Sequence, residues 1–158
     1  MIEIKTGETV YANVTKKEPV VKWPVREGKF YALFMGGLAP IYDLAWERGW
    51  DESLGDQVDQ QWENWVVVNI PGSGRKVDFG EELVSYYHLP VPYKNTTDRI
   101  SFWIWEQPEK FENPKYDRGI ENRNRFGDRY MIQTFTKQFR LGDPWAGDFF
   151  VLSPFPQS

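Results

Sequence analysis

His88 is the sole histidine in this sequence, and cysteine is absent. That pair of facts removes whole classes of chemistry. No site can use two imidazoles, no thiolate can attack or bind zinc, and no Ser-His constellation can be assembled beyond the one ring. A histidine packed near the Pro90 corner is the simpler reading of His88. Carboxylates are denser: Asp43, Glu47, Asp51, Glu52, Asp56 and Asp59 crowd one stretch. Their spacing matches no calcium loop, and solvated charge on a connection accounts for them. Gly72-Ser-Gly-Arg lacks the Lys-Ser/Thr of a phosphate-cradling loop and reads as a surface turn. Lys115, Arg118, Arg123, Arg125 and Arg129 are interleaved with Glu112, Asp117, Glu121 and Asp128, giving a mixed surface rather than a nucleic-acid site. No nucleophile, base and orienting group can be named together, so a non-enzymatic role is expected, with no cofactor.

Composition agrees. The formal charge of -4 over 158 residues argues against a chain held by phosphates or anionic lipid. Aromatic residues make up 17 % of it, an abundance that suits a ring-packed β core and leaves rings over for a contact surface. No stretch is apolar for long enough to span a bilayer, and the opening residues have neither a secretory nor a transit pattern, so the cytoplasm is the expected compartment. The acceptor patterns Asn13-Val-Thr and Asn95-Thr-Thr then read as chance.

The elements that would carry any site are mostly strands. Trp65 to Ile70 is a β-branched and aromatic run, too short for a helix and too apolar to alternate, which predicts a strand covered on both faces in the middle of a sheet. Lys29 to Met35 reads as a second central strand broken by Gly36, Gly37 and Pro40. Ile100 to Glu106 is a third, with Trp103 and Trp105 on one face and Phe102 and Ile104 on the other. A short strand or hairpin is expected within 1–12, with further strands at Val20 to Trp23 and from Gly147 to Leu152. Phe79 to Tyr87 could form a short helix. Phe126, Tyr130, Met131, Phe135 and Phe139 make the stripe of an amphipathic helix near 126–141, with Gly142 and Pro144 as its stop. One domain over 1–158 is expected, carrying an acidic aromatic insert at about 41–60 and a short Pro-rich tail at 153–158.

Trp62-Glu-Asn-Trp-Val-Val-Val-Asn-Ile-Pro-Gly72 resembles the Glu-Trp-x-His-Trp-Leu-Val-Val-Asn-Ile-Pro-Gly signature of the phosphatidylethanolamine-binding protein (PEBP) family. Other segments agree in order: Tyr31 to Met35, Pro90-Val-Pro92, Arg99 opening a strand that ends at Glu106-Gln107, and Leu141-Gly-Asp-Pro-Trp-Ala-Gly-Asp-Phe-Phe150. The resemblance covers nearly the whole chain. It implies a mainly β fold, a central antiparallel β-sheet flanked by a smaller sheet and by helices.

The resemblance also implies a small anion pocket, and here its polar hallmarks are changed. The family's Asp-Pro-Asp-x-Pro turn is replaced by Gly36-Gly37-Leu38-Ala39-Pro40, the first pocket histidine by Asn64 and the second by Asp98. Gly37, Leu38, Pro40, Asn64, Pro90, Pro92 and Asp98 therefore mark a vestigial ligand site. A carboxylate facing a phosphate repels it and removes a donor. The insert supplies Tyr42, Trp46, Trp50 and Leu54 as candidate partner-binding residues, and the same rings could instead plug the vacant pocket. The expected role is a non-catalytic structural or protein-interaction subunit of a larger assembly. The alternatives the resemblance implies are a phospholipid-headgroup or phosphorylated-ligand binding protein, a kinase or serine protease inhibitor, and a component of the mitochondrial large ribosomal subunit, which would place the chain in that organelle. A protein partner is expected, a phospholipid or phosphate ligand only weakly, and direct nucleic-acid binding is not expected.

Overall fold

The computed structural model describes residues 6–39, 60–73, 77–86, 97–117 and 131–153. The strands are β1 (Thr9–Tyr11), β2 (Phe30–Ala39), β3 (Gln60–Pro71), β4 (Glu81–Val84), β5 (Asp98–Glu106) and β6 (Ala146–Ser153). They form a six-stranded sheet in the order β1-β6-β5-β2-β3-β4. Four pairings are antiparallel, and the β1–β6 pair is parallel, so the sheet is mixed rather than wholly antiparallel.

Strand alternation sorts the apolar residues onto two faces. Tyr31, Leu33 and Met35 of β2 join Trp65, Val67, Phe102 and Ile104 in one core, while Ala32 and Phe34 join Val66, Val68 and Trp105 in the other. All of β2 from Tyr31 to Met35 is buried, which explains its nearly unbroken apolar sequence. The two faces read for Trp103–Trp105 and Phe102–Ile104 are the observed ones. β3 is covered on both faces and paired on both edges as expected, though it lies next to the sheet's margin rather than at its centre.

The helix described is α1 (Met131–Gln138), and Phe126 and Tyr130 of the predicted stripe lie outside the described residues. Phe135, which is fully buried, and Phe139 press it onto the second core. Phe135 sits 5.7 Å from Phe34, 5.6 Å from Trp105 and 5.5 Å from Tyr116 between ring centres. The stop is not at Gly142. Arg140 takes the left-handed conformation (φ 51). Its N–H donates to the Lys137 carbonyl (3.4 Å), and the Leu141 N–H donates to that of Thr136 (2.9 Å). This is a Schellman closure with arginine in the position glycine usually holds, anchored by buried Leu141.

Three other expectations are corrected. Gly36 and Gly37 do not break β2, which runs through both, because a register shift against β3 absorbs the irregularity. Val20–Trp23 is not a sheet strand. With Pro19 and Pro24 at its ends it crosses the first core as a strap, Val21 and Trp23 packing inward and Trp23 standing edge-on to Tyr31 at 5.9 Å. In place of a helix at 79–87 there is a 3-10 turn, Val77–Phe79, followed by β4. β3 otherwise lacks a partner for its outer ladder, and β4 supplies it through Val66↔Val84 and Val68↔Glu81.

Candidate functional site

β2 ends where β3 and β5 begin, so one edge of the sheet collects the vestigial positions. Gly37 pairs with Trp62 on one side and Ile100 on the other, and Leu38 with Gln61 and Arg99. Asp98 opens β5 opposite Leu152. Asn64 is the residue left over at the register shift, because Met35 pairs with Trp65 and the next residue, Gly36, with Glu63. A bulge re-aims side chains, and bulges recur beside sites. The structure thus brings Gly37, Leu38, Asn64 and Asp98 together at one sheet end. Pro40, Pro90, Pro92, His88 and the insert residues Tyr42, Trp46, Trp50 and Leu54 lie outside the described residues.

The chemistry of this end is that of buried acid and amide. Asn64 is 1 % exposed, Asp98 4 % and Glu63 1 %. Glu63 was missed by sequence reading. Its signal was indirect: the partner across the ladder is Gly36, which leaves room for a side chain where a larger residue would fill the space. The carboxyl groups of Glu63 and Asp98 bring acceptor oxygens to this sheet end, whereas an anion needs donors. Arg99, the nearest cation in sequence, is exposed, and its guanidinium lies over the Phe149 ring at 5.3 Å. Among the described residues no group of three or more His, Cys, Asp or Glu is placed to hold a metal.

A second feature lies on the first-core face. A cavity of about 390 Å³ opens between the floor formed by Met35 and Phe150, the wall formed by Val10 and Tyr86, and the 3-10 segment Ala12–Lys16 with the residues after it. Tyr86 anchors that segment: its hydroxyl donates to the Thr15 carbonyl at 2.7 Å, while its ring stands edge-on to Trp65 at 5.7 Å. Burial, with the Glu18 carboxylate adding to it, pushes the Tyr86 phenol up to about 12, so it stays a neutral donor. Strand order brings Val10, Met35 and Phe150 together, the chain leaving β4 adds Tyr86, and nothing in their local sequence announces a pocket.

No family model matches the sequence. A 26 kDa secreted antigen of Toxocara canis is 24 % identical over 151 residues, covering 94 % of this chain and 52 % of its own length. The chain therefore spans about half the length of that curated relative. Among solved structures, a phosphatidylethanolamine-binding protein from Plasmodium vivax superposes with a TM-score of 0.61 over 94 % of this chain and 78 % of its own, at 17 % identity. The fold is that of the phosphatidylethanolamine-binding proteins. A second PEBP-fold structure, a carboxypeptidase Y inhibitor in complex with its cognate proteinase, gives a TM-score of 0.60 over 94 % of this chain and 76 % of its own, at 13 % identity. The named PEBP-fold neighbours are thus a binding protein and an inhibitor. Among the described residues no helix is long and apolar enough to cross a membrane.

Proposed function

We propose that this chain is a non-catalytic binding domain of PEBP fold that engages a protein partner and has given up the phosphate site, the whole of 1–158 acting as one domain. The observation that carries the reading is Asp98, a carboxylate 4 % exposed at the sheet end where the family resemblance calls for a histidine. A carboxylate there offers acceptors where an imidazole would donate, so phosphate loses the charge-assisted hydrogen bond the family pocket would give it. Asn64 supplies one neutral donor in place of an imidazole. Exposed Phe79 and Trp145 offer apolar area for a partner, 62 % and 40 % accessible.

Titration calorimetry with inorganic phosphate and with phosphoethanolamine tests the loss. No saturable heat is expected at millimolar ligand, and binding in the micromolar range would overturn the reading. Cross-linking in native extract tests the partner: a reproducible cross-linked protein is expected, and a purely monomeric pool would count against it.

A second reading, proteinase inhibition, is favoured by the neighbour seen in complex with its proteinase. Assays against carboxypeptidase Y and a panel of serine proteinases decide it. The compartment follows the partner. The secreted status of the Toxocara relative supports a setting outside the cytosol, against the cytoplasmic expectation.

A further inference from the structure

Among the described residues of the vestigial site, none of Gly37, Asn64 and Asp98 lines the cavity over Met35 and Phe150. Its volume of about 390 Å³ is within the range of clefts that take small organic ligands. Its interior is apolar, formed by Val10, Met35, Phe150 and the face of Tyr86, with exposed Val14 and Val20 at the rim. Among the described residues, the charged ones that border it are consecutive: Lys16 and Lys17, both exposed, then Glu18.

An apolar chamber with two ammonium groups and one carboxylate at its mouth suits a particular chemistry. We infer that this cavity binds a small single-chain amphiphile bearing a carboxylate, with the alkyl chain over Met35 and Phe150 and the carboxylate at Lys16 and Lys17. Long lysine stems lie along apolar surface while their heads remain in water, which is the arrangement such a ligand needs. The Tyr86 hydroxyl is already engaged with the Thr15 carbonyl, so the ring serves as wall rather than as donor to the ligand. The inference is independent of the proposed protein partner, because the two sites share none of the residues that define them.

The full chain, labelled at its methionine methyl groups, is titrated with octanoate, decanoate and decanol. The sequence holds Met1, Met35 and Met131, and among the described side chains Met35 is the methionine that lines the cavity. Decanoate is expected to shift the Met35 methyl resonance and to bind about fourfold more tightly for each methylene it has beyond octanoate. Decanol is expected to bind more weakly than decanoate. The double variant Lys16→Ser, Lys17→Ser should lower decanoate affinity about tenfold at low salt and leave decanol unchanged. A second variant, Val14→Glu, sits at the exposed rim and should weaken decanoate without altering the melting temperature. Absence of a Met35 shift, affinity indifferent to chain length, or equal binding of decanol and decanoate would each overturn the inference. A partner's apolar side chain as the natural occupant would give that last result.

Discussion

Asn69 and Gln107 hold each other by a reciprocal pair of hydrogen bonds. The Asn69 N–H donates to Gln107 Oε1 at 2.7 Å, and Gln107 Nε2 donates to Asn69 Oδ1 at 2.9 Å. Asn69 sits in the left-handed region (φ 55), 4 % exposed, near the end of β3. Its Oδ1 also accepts from the Phe111 N–H at 2.8 Å, and its Nδ2 donates to the Phe111 carbonyl at 2.9 Å and to the Glu81 carboxylate. One amide therefore ties β3 to β4, to the end of β5 and to the loop beyond it. Asparagine is suited to the place twice, since it tolerates positive φ and carries both a donor and an acceptor.

Replacing Asn69 should be among the most damaging single changes. Asn69→Ala loses the buried bonds and adds left-handed strain, at a cost of about 3 kcal/mol, while Asn69→Gly loses only the bonds, about 2 kcal/mol. Gln107→Ala should cost about 2 kcal/mol. Urea denaturation of the singles and the double mutant should show a coupling above about 0.5 kcal/mol. Additive effects would refute the network.

Gly72 closes the same strand against another part of the chain. Its N–H donates to the Lys29 carbonyl at 2.9 Å, and a Cβ there would run into the Arg26 carbonyl oxygen. Because that obstacle is backbone, Gly72→Ala should destabilise the fold by about 2 kcal/mol. A melting temperature unchanged in Gly72→Ala would contradict the close approach.

Arg26 grips Glu106 with both arms, Nε donating to Oε2 at 2.9 Å and Nη2 to Oε1 at 2.7 Å, and it stacks over Trp145 at 4.7 Å. The arginine side chain is 57 % exposed, so solvent screening holds the value of the pair to about 1 kcal/mol. Arg26→Lys cannot reproduce the fork or the stack and should lose most of it. Thermal melts at low and high salt should show the difference between the two proteins narrowing as salt rises.

Tyr86 sets an alkaline limit. Its phenol is raised from 10.0 to about 12 in the folded chain, so the folded state holds this proton more tightly than the unfolded one. The associated stability is whole below pH 10 and is lost as pH rises through 12. Since the ring is only half-buried, the effect should be about 1 kcal/mol rather than the full linkage value. Tyr86→Phe should remove that slope. At neutral pH it should cost about 1 kcal/mol through the lost bond to Thr15.

Much of the scaffold was legible because burial leaves its mark on composition. Trp65–Ile70 and Ile100–Glu106 are strands covered on both faces, and such strands must be apolar throughout. The misreadings have local physical causes. Gly36 and Gly37 look like a break, yet the bulge at Asn64 lets β2 continue past them. Gly142 looks like the helix stop, yet Arg140 had already turned left-handed, which a propensity rule does not anticipate. Val20–Trp23 has strand composition, but its flanking prolines strip ladder donors. For the site, the motif comparison located Asn64 and Asp98 and the sheet brought them to one end, while Glu63 and the Met35 cavity depend on cross-strand partners that no local window contains.

The parallel β1–β6 pair joins Thr9 to Val151, almost the two extremes of the described chain. A contact of that span closes late, because the loop entropy is lost before the pairing rewards it. As the chain emerges from the ribosome, β1 has to wait for β6. β6 is also the second partner of β5, so an edge of the central strands stays open until then. Folding should therefore be slow and strongly dependent on the arrival of β6, and truncation before Ala146 should leave an exposed strand edge that associates with other copies rather than a smaller stable domain.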